Sequence, residues 1–201
     1  MKKAVVTILI LFAAEAVRAQ SNIFTLQYNV SVPVSEMTDY IDDASFRGLS
    51  ADWRWFNIRK THLAAGFSLG WQVFDQGATG TFQLDNGAVT GVQKRYLNTF
   101  PMLITGYYYF STAWRDPKIY VGGGVGTYYV IQNFDLGVNR LEASNWHFGA
   151  APEVGFQFPM RNSQGIVNVK YNWVNESGEG IAGQERGYAY WGLNAGFAWD
   201  F

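Results

Sequence analysis

His62 and His147 are the only imidazoles among 201 residues, and there is no cysteine. Acyl transfer would need one of them beside a serine hydroxyl, with an acid to orient the ring. His62 falls in a short polar joint, and His147 keeps step on its segment only with Asn145 and Gly149, so neither has a serine or an acid in register. Two distant histidines and no thiol also leave no transition-metal site. The run Val121-Gly122-Gly123-Gly124-Val125-Gly126 lacks the Lys-Ser/Thr pair that a phosphate loop carries. No catalytic residue, metal or cofactor is expected. The chemistry that remains lies in four charged residues, Asp52, Arg54, Glu153 and Lys170, each set among small polar residues on one parity of an alternating segment.

The segments that place them repeat along the chain. Phe24, Leu26, Tyr28, Val30 and Val32 alternate with Thr25, Gln27, Asn29 and Ser31, and Leu49, Ala51, Trp53 and Trp55 with Ser50, Asp52 and Arg54. Leu63 to Val73, Ile119 to Ile131, Trp146 to Phe158, Val167 to Trp173 and Trp191 to Phe201 follow the same period of two, the mark of strands with two different faces. A further segment, Tyr96 to Phe110, is apolar on both parities and its faces stay unassigned. Short joints fall near 59–62, 112–118 and 159–165, and long ones near 35–46, 75–94, 132–144 and 175–187. Such a rhythm predicts an all-β fold, an eight-stranded antiparallel up-and-down transmembrane β-barrel with both termini at the short-turn end. Each segment also has about the 9 to 11 residues that a tilted strand needs to cross hydrocarbon.

Composition supports this reading. The chain is 48% hydrophobic and 17% aromatic, yet only 15% charged, and its mean hydropathy is -0.08. Apolar residues are therefore diluted by polar neighbours, and no run reaches the roughly 18 residues of a membrane-spanning helix. A net charge of -1 gives no electrostatic footprint for nucleic acid. Lys2 and Lys3 precede the apolar run Ala4 to Ala14, and Val17-Arg18-Ala19 supplies small residues at a cleavage position, so residues 1–19 read as a signal peptide and 20–201 as the barrel domain.

Alternation alone leaves open whether the apolar face points to a core, as in a lipocalin, or to lipid. The polar face here is built of Gly, Ser, Ala and Asn, which suits the narrow interior of eight strands. The apolar face carries aromatics toward segment ends: Trp55, Tyr109, Phe156, Phe158, Trp199 and Phe201 by the short turns, and Trp71, Trp146, Trp173 and Trp191 by the long loops. Two aromatic bands are what the two membrane interfaces select.

With its signal peptide, eight alternating segments and terminal Phe-Ala-Trp-Asp-Phe, the sequence resembles the small eight-stranded outer-membrane β-barrel family of Gram-negative bacteria, the OmpX, OmpW and OmpA-barrel type. The resemblance implies a place in the outer membrane, among its lipids and lipopolysaccharide. It also implies that Phe197, Trp199 and Phe201 form the C-terminal signal read by the barrel assembly machinery.

On the polar parity, Glu153 and Lys170 fall opposite each other if a hairpin is centred between Arg161 and Asn162. Asp52 and Arg54 sit at a similar height on a strand across the lumen, so a charge network spanning the interior is expected. A buried charge must be paired, and a paired set also blocks the passage. Such a network is either a structural plug or a gate. The long joints are rich in acids, including Glu36, Asp39, Asp42, Asp43, Asp75, Asp85, Asp135, Glu142, Glu176, Glu179 and Glu185. The expected role is that of a monomeric structural or surface-interaction protein acting through acidic extracellular loops. A narrow channel for small or hydrophobic solutes is the alternative, and a lipid-modifying enzyme comes third.

Overall fold

The computed structural model describes residues 21–56, 62–84, 87–111, 116–136, 139–176 and 187–200. The expected signal peptide, 1–19, and Phe201, Arg59, Lys60, Arg115, Asp85, Glu179 and Glu185 lie outside the described residues. Period-two sequence becomes eight strands: β1 (Ser21–Val34), β2 (Arg47–Phe56), β3 (Leu63–Leu84), β4 (Gly87–Tyr109), β5 (Lys118–Leu136), β6 (Asn139–Pro159), β7 (Gln164–Val174) and β8 (Tyr188–Asp200). Each pairs antiparallel with the next, and β8 pairs back onto β1, so the sheet closes into a barrel with no edge along its wall.

The two faces separate by parity. Thr25, Gln27 and Ser31 are buried inside while Leu26, Tyr28 and Val32 stand outside; Ser50, Asp52 and Arg54 point in while Leu49 and Trp55 point out. Ile104, five residues before the end of β4, is 75% exposed on the outer face. A watery surface would penalise a whole belt of such side chains, whereas hydrocarbon accepts it.

The faces of β4 are now assigned. Leu97, Thr99, Leu103, Thr105, Tyr107 and Tyr109 point inward, and Met102, Ile104, Tyr108 and Phe110 outward. Tyr109, expected in the outer aromatic band, is buried inside at 2% exposure, and Tyr108 and Phe110 take that place outside. Both parities are apolar because glycines on neighbouring strands leave space for rings within: a Cβ on Gly122 would lie 2.4 Å from Tyr107, and one on Gly155 2.3 Å from Tyr120.

Two expected loops are strands instead. The stretches 75–94 and 132–144 continue as hairpins, pairing out to Leu84↔Gly87 and Leu136↔Asn139. A ladder of backbone hydrogen bonds can be sustained in water as well as in lipid. Lys118, expected in a turn, is the first residue of β5 and is buried. Since β2 begins opposite Val73, the β3–β4 hairpin projects eleven residues further. At about 3.3 Å per residue that is roughly 35 Å along the strand. With β5 and β6 it forms a four-stranded sheet beyond the rim.

Proline interrupts the wall twice. Pairing of β3 with β4 passes from Leu69↔Met102 to Gln72↔Thr99, skipping Gly70 and Pro101, and that of β6 with β7 passes from Ala150↔Trp173 to Glu153↔Lys170, skipping Pro152. A proline has no N–H to give the ladder. Between β1 and β2 lies the one helical turn among the described residues, a 3-10 turn at Ser35–Asp39 that no periodicity announced.

The barrel lumen as candidate functional site

Three layers fill the interior. Nearest the short turns, Tyr107, Tyr109 and Tyr120 pack with Ile23, Ala64, Ile166 and Ala198. Tyr120 meets Tyr107 edge-on at 5.5 Å and Tyr109 at 5.1 Å.

Above them sits the charged layer, with Arg54 at its centre. Its NH2 donates to Asp52 Oδ2 at 2.7 Å and lies 3.4 Å from Glu153 Oε1, and its NH1 donates to the Tyr109 hydroxyl at 2.9 Å. The guanidinium also lies over the Tyr107 ring, 3.9 Å from its centroid, and 4.9 Å from that of Tyr120. Glu153 is held from two further sides, by the Tyr120 hydroxyl donating at 2.6 Å and by Lys170 Nζ at 3.1 Å. Asp52 accepts from Thr25 at 3.1 Å and Gln27 at 2.9 Å. Asn168 donates to Gln27 and Asn194 to Asn168, both at 2.5 Å, which carries the network onto β7 and β8.

Asp52 and Arg54 are fully buried, and Glu153 and Lys170 nearly so. Two acids face two bases, so the layer carries no net formal charge. Planar, permanently charged Arg satisfies several partners at once, which suits the shared centre better than a lysine would. The alternation that puts these four side chains inside also places Glu153 directly across the ladder from Lys170. The inward glycines at 122, 124 and 126 point to room for large side chains such as Tyr120 and Tyr128, but sequence reading did not place Tyr107 and Tyr109 inside or tie any of the three tyrosines to Arg54. Their signal was present in the large residues at 107, 109 and 120 and the glycines at 122 and 155 on adjoining strands.

The third layer, toward the projecting sheet, holds a buried apolar cluster interleaved with Thr99, Gln132, His147 and Asn172, whereas the alternation led us to expect a polar interior throughout. Phe74, Leu97, Leu103, Tyr128, Val130, Ala151, Val174, Tyr188 and Tyr190 form one buried cluster with Met37 and Ile41 of the β1–β2 connection. Polar and apolar layers are separated by a cavity of about 20 Å³ lined by Ser50, Ser68, Gln72, Lys170, Asn172 and Asn194. That volume has room for about one water molecule.

Each histidine ring is engaged through Nδ1. His147 Nδ1 lies 2.9 Å from the main-chain oxygen of Asn175 and His62 Nδ1 2.7 Å from that of Tyr109. A carbonyl only accepts, so in each ring that nitrogen is a donor. His147 otherwise packs edge-on against Tyr188, and His62 stacks on Tyr108. Among the described residues no group of three or more His, Asp or Glu could hold a metal ion.

Of the proposed C-terminal signal, Phe197 and Trp199 lie on the outer face of β8, 6.1 Å apart, and Trp199 stacks on Phe24 at 6.2 Å. Trp71, Trp146, Trp173 and Trp191 ring the outer face toward the projecting sheet.

No family model matches the sequence, and no curated protein does. Solved structures do match. Neisserial surface protein A is similar at 14% identity with a TM-score of 0.56, over 90% of this chain and 97% of that one. A major outer membrane protein from Thermus thermophilus is similar at 12% identity with a TM-score of 0.55, over 90% of this chain and 99% of that one. At these identities the likeness is one of architecture: the chain has the fold of the small eight-stranded outer-membrane β-barrels.

Proposed function

We propose that the protein is a monomeric outer-membrane barrel whose lumen is a structural plug and whose work is done by the surface beyond the rim. The observation that carries this reading is the contrast between the two. Inside, the ion-paired layer and its tyrosine floor fill the section; outside, β3 to β6 continue as a sheet, and beyond Val73 and Gly149 its edges have no strand partner among the described residues. Exposed strand edges and loops on a rigid scaffold are common recognition surfaces. Export through the signal peptide and assembly through Phe197, Trp199 and Phe201 belong to the same proposal.

The acidic character of the outer end is partly neutralised, as Asp75 pairs with Arg47 and Asp135 with Arg140. Glu36, Asp39, Asp43 and Glu176 are exposed at the same end and would favour divalent cations that bridge to the phosphates of lipopolysaccharide. The narrow-channel alternative requires Arg54 to leave both its carboxylates, and the dead-end stack of layers argues against it. An epitope inserted between Asp85 and Asn86 tests the orientation. Antibody should bind it on intact cells, whereas the same insertion between Arg161 and Asn162 should be reached only after the outer membrane is permeabilised. The reverse pattern refutes the reading.

A further inference from the structure

We infer that the outer third of the lumen is a binding chamber for a small apolar ligand, kept closed by the chain's own β1–β2 connection. Met37 and Ile41 enter it and are 1% and 0% exposed, packed among Phe74, Leu97, Leu103, Tyr128, Val174 and Tyr190. Tyr40 packs beside them at the cluster's edge, and the other contacts that fasten this connection are largely polar. Arg95 NH1 donates to the Tyr40 carbonyl at 2.9 Å and its guanidinium lies over the Tyr40 ring, the Tyr40 hydroxyl donates to Asn133 O at 3.3 Å, and Asp42 exchanges hydrogen bonds with Gln76. Apart from the two buried side chains, the segment thus holds to the wall largely by polar contacts that water can replace, with the Tyr40 ring lying against the cluster's edge.

Its geometry also suits a hinged plug. Ser35 takes φ 56° at the point where β1 gives way to the 3-10 turn, a left-handed conformation rarely stored in a non-glycine residue without a constraint. Further on, a single bridge, Ser31↔Ser45, rejoins the connection to the wall before β2 begins.

The chamber's chemistry selects its ligand. Hydroxyls of Tyr128, Tyr188 and Tyr190 are engaged with Asn172, Gln132 and Thr99, so these tyrosines offer ring faces, beside the aliphatic carbons of Leu97, Leu103 and Val174. Below, the charged layer gives a floor, which makes this a dead-end pocket and not a conduit. Met and Ile side chains together hold about eight non-hydrogen atoms, so withdrawing them makes room for a single aromatic ring or a short alkyl chain, a small ligand by the standards of apolar pockets. The inference is independent of whether the projecting sheet binds a partner.

Because the chain has no cysteine, a single Leu103→Cys variant of the folded barrel in vesicles is a clean probe. It would be treated with a short alkyl methanethiosulfonate or with its charged sulfonatoethyl counterpart. With the native plug both should react slowly. Adding Met37→Ala and Ile41→Ala should speed the alkyl reagent at least about tenfold while leaving the charged one slow, as expected when a locally closed state is destabilised. Loosening the rim instead, with Arg95→Ala and Tyr40→Phe, should act in the same direction while Met37, Ile41 and the Tyr40 ring are all kept, and covers the case in which the double alanine variant fails to fold. An unchanged alkyl rate in folded variants would overturn the inference, and so would equal acceleration of both reagents, which would mean a water-filled pore.

Discussion

Arg54 on β2 and Glu153 on β6 meet at 3.4 Å across the lumen, although 99 residues separate them in sequence. In a ring of eight strands these two stand on opposite walls, so the contact ties the barrel across its diameter. Arg54→Met would leave Asp52 and Glu153 buried with Lys170 as the remaining cation of the set. Truncating one partner of a buried pair costs about 3–5 kcal/mol. Lys170→Met should cost less, about 1–3 kcal/mol, because Glu153 keeps Arg54 and the Tyr120 hydroxyl. Urea unfolding in vesicles, followed by tryptophan fluorescence, ranks the two; equal losses would deny Arg54 its central place.

Gly155 supports that centre from behind. A methyl there would fall 2.3 Å from Tyr120 Cζ and 2.4 Å from its hydroxyl oxygen, pushing aside the ring that holds Glu153. Gly155→Ala should cost about 1–3 kcal/mol, as overpacking does. Combined with Tyr120→Ala, the same change should add little further loss, so a double-mutant cycle should return a clear coupling. Simple additivity would show that the close approach is unimportant.

The strand parities of Asp52, Arg54, Glu153 and Lys170 were legible because alternation needs only local sequence, and small residues beside them marked the inward side. The faces of β4 were not, since an inward tyrosine is tolerated only where a neighbouring strand has glycine, and that depends on register between segments. Hairpins beyond the rim were misread as loops because a stretch rich in Gly, Thr and Gln has the composition of a loop while still forming a ladder. The 3-10 plug was invisible for a related reason. Met37 and Ile41 look like stray apolar residues in an acidic loop until the lumen above the charged layer is seen to hold an apolar cluster.

Pro101 breaks the β3–β4 ladder, and its ring would lie 2.8 Å from a Cβ at Gly70. Pro101→Ala restores an N–H at the interruption. Amide hydrogen exchange at residues 70, 71 and 100 should then slow, since a continuous ladder opens less readily. Exchange that stays as fast as in the parent would place the cause of the interruption elsewhere.

At the far end of the β5–β6 hairpin, Arg140 donates to both carboxylate oxygens of Asp135, at 2.7 and 3.0 Å, and holds that carboxyl below its ordinary value. A depressed carboxylate pKa supports the paired state above the unfolded value and loses that support as pH falls through the folded one. Titration of Asp135 by carboxyl-carbon NMR should show the lowered midpoint, and Arg140→Gln should raise it toward that of a free aspartate. A midpoint indifferent to Arg140 would show the pair to be absent in solution. Both groups are solvent-exposed, so the effect on global stability should be small.

Conductance across a planar bilayer tests the sealed lumen most directly. The folded wild-type protein should give a flat baseline, because no ion can pass the layer formed by Asp52, Arg54, Glu153 and Lys170 without displacing paired charges. Lys170→Met should leave that baseline closed while lowering heat stability. Reproducible single-channel steps from the folded wild type, lost on unfolding, would contradict the account and make the ion pairs a gate.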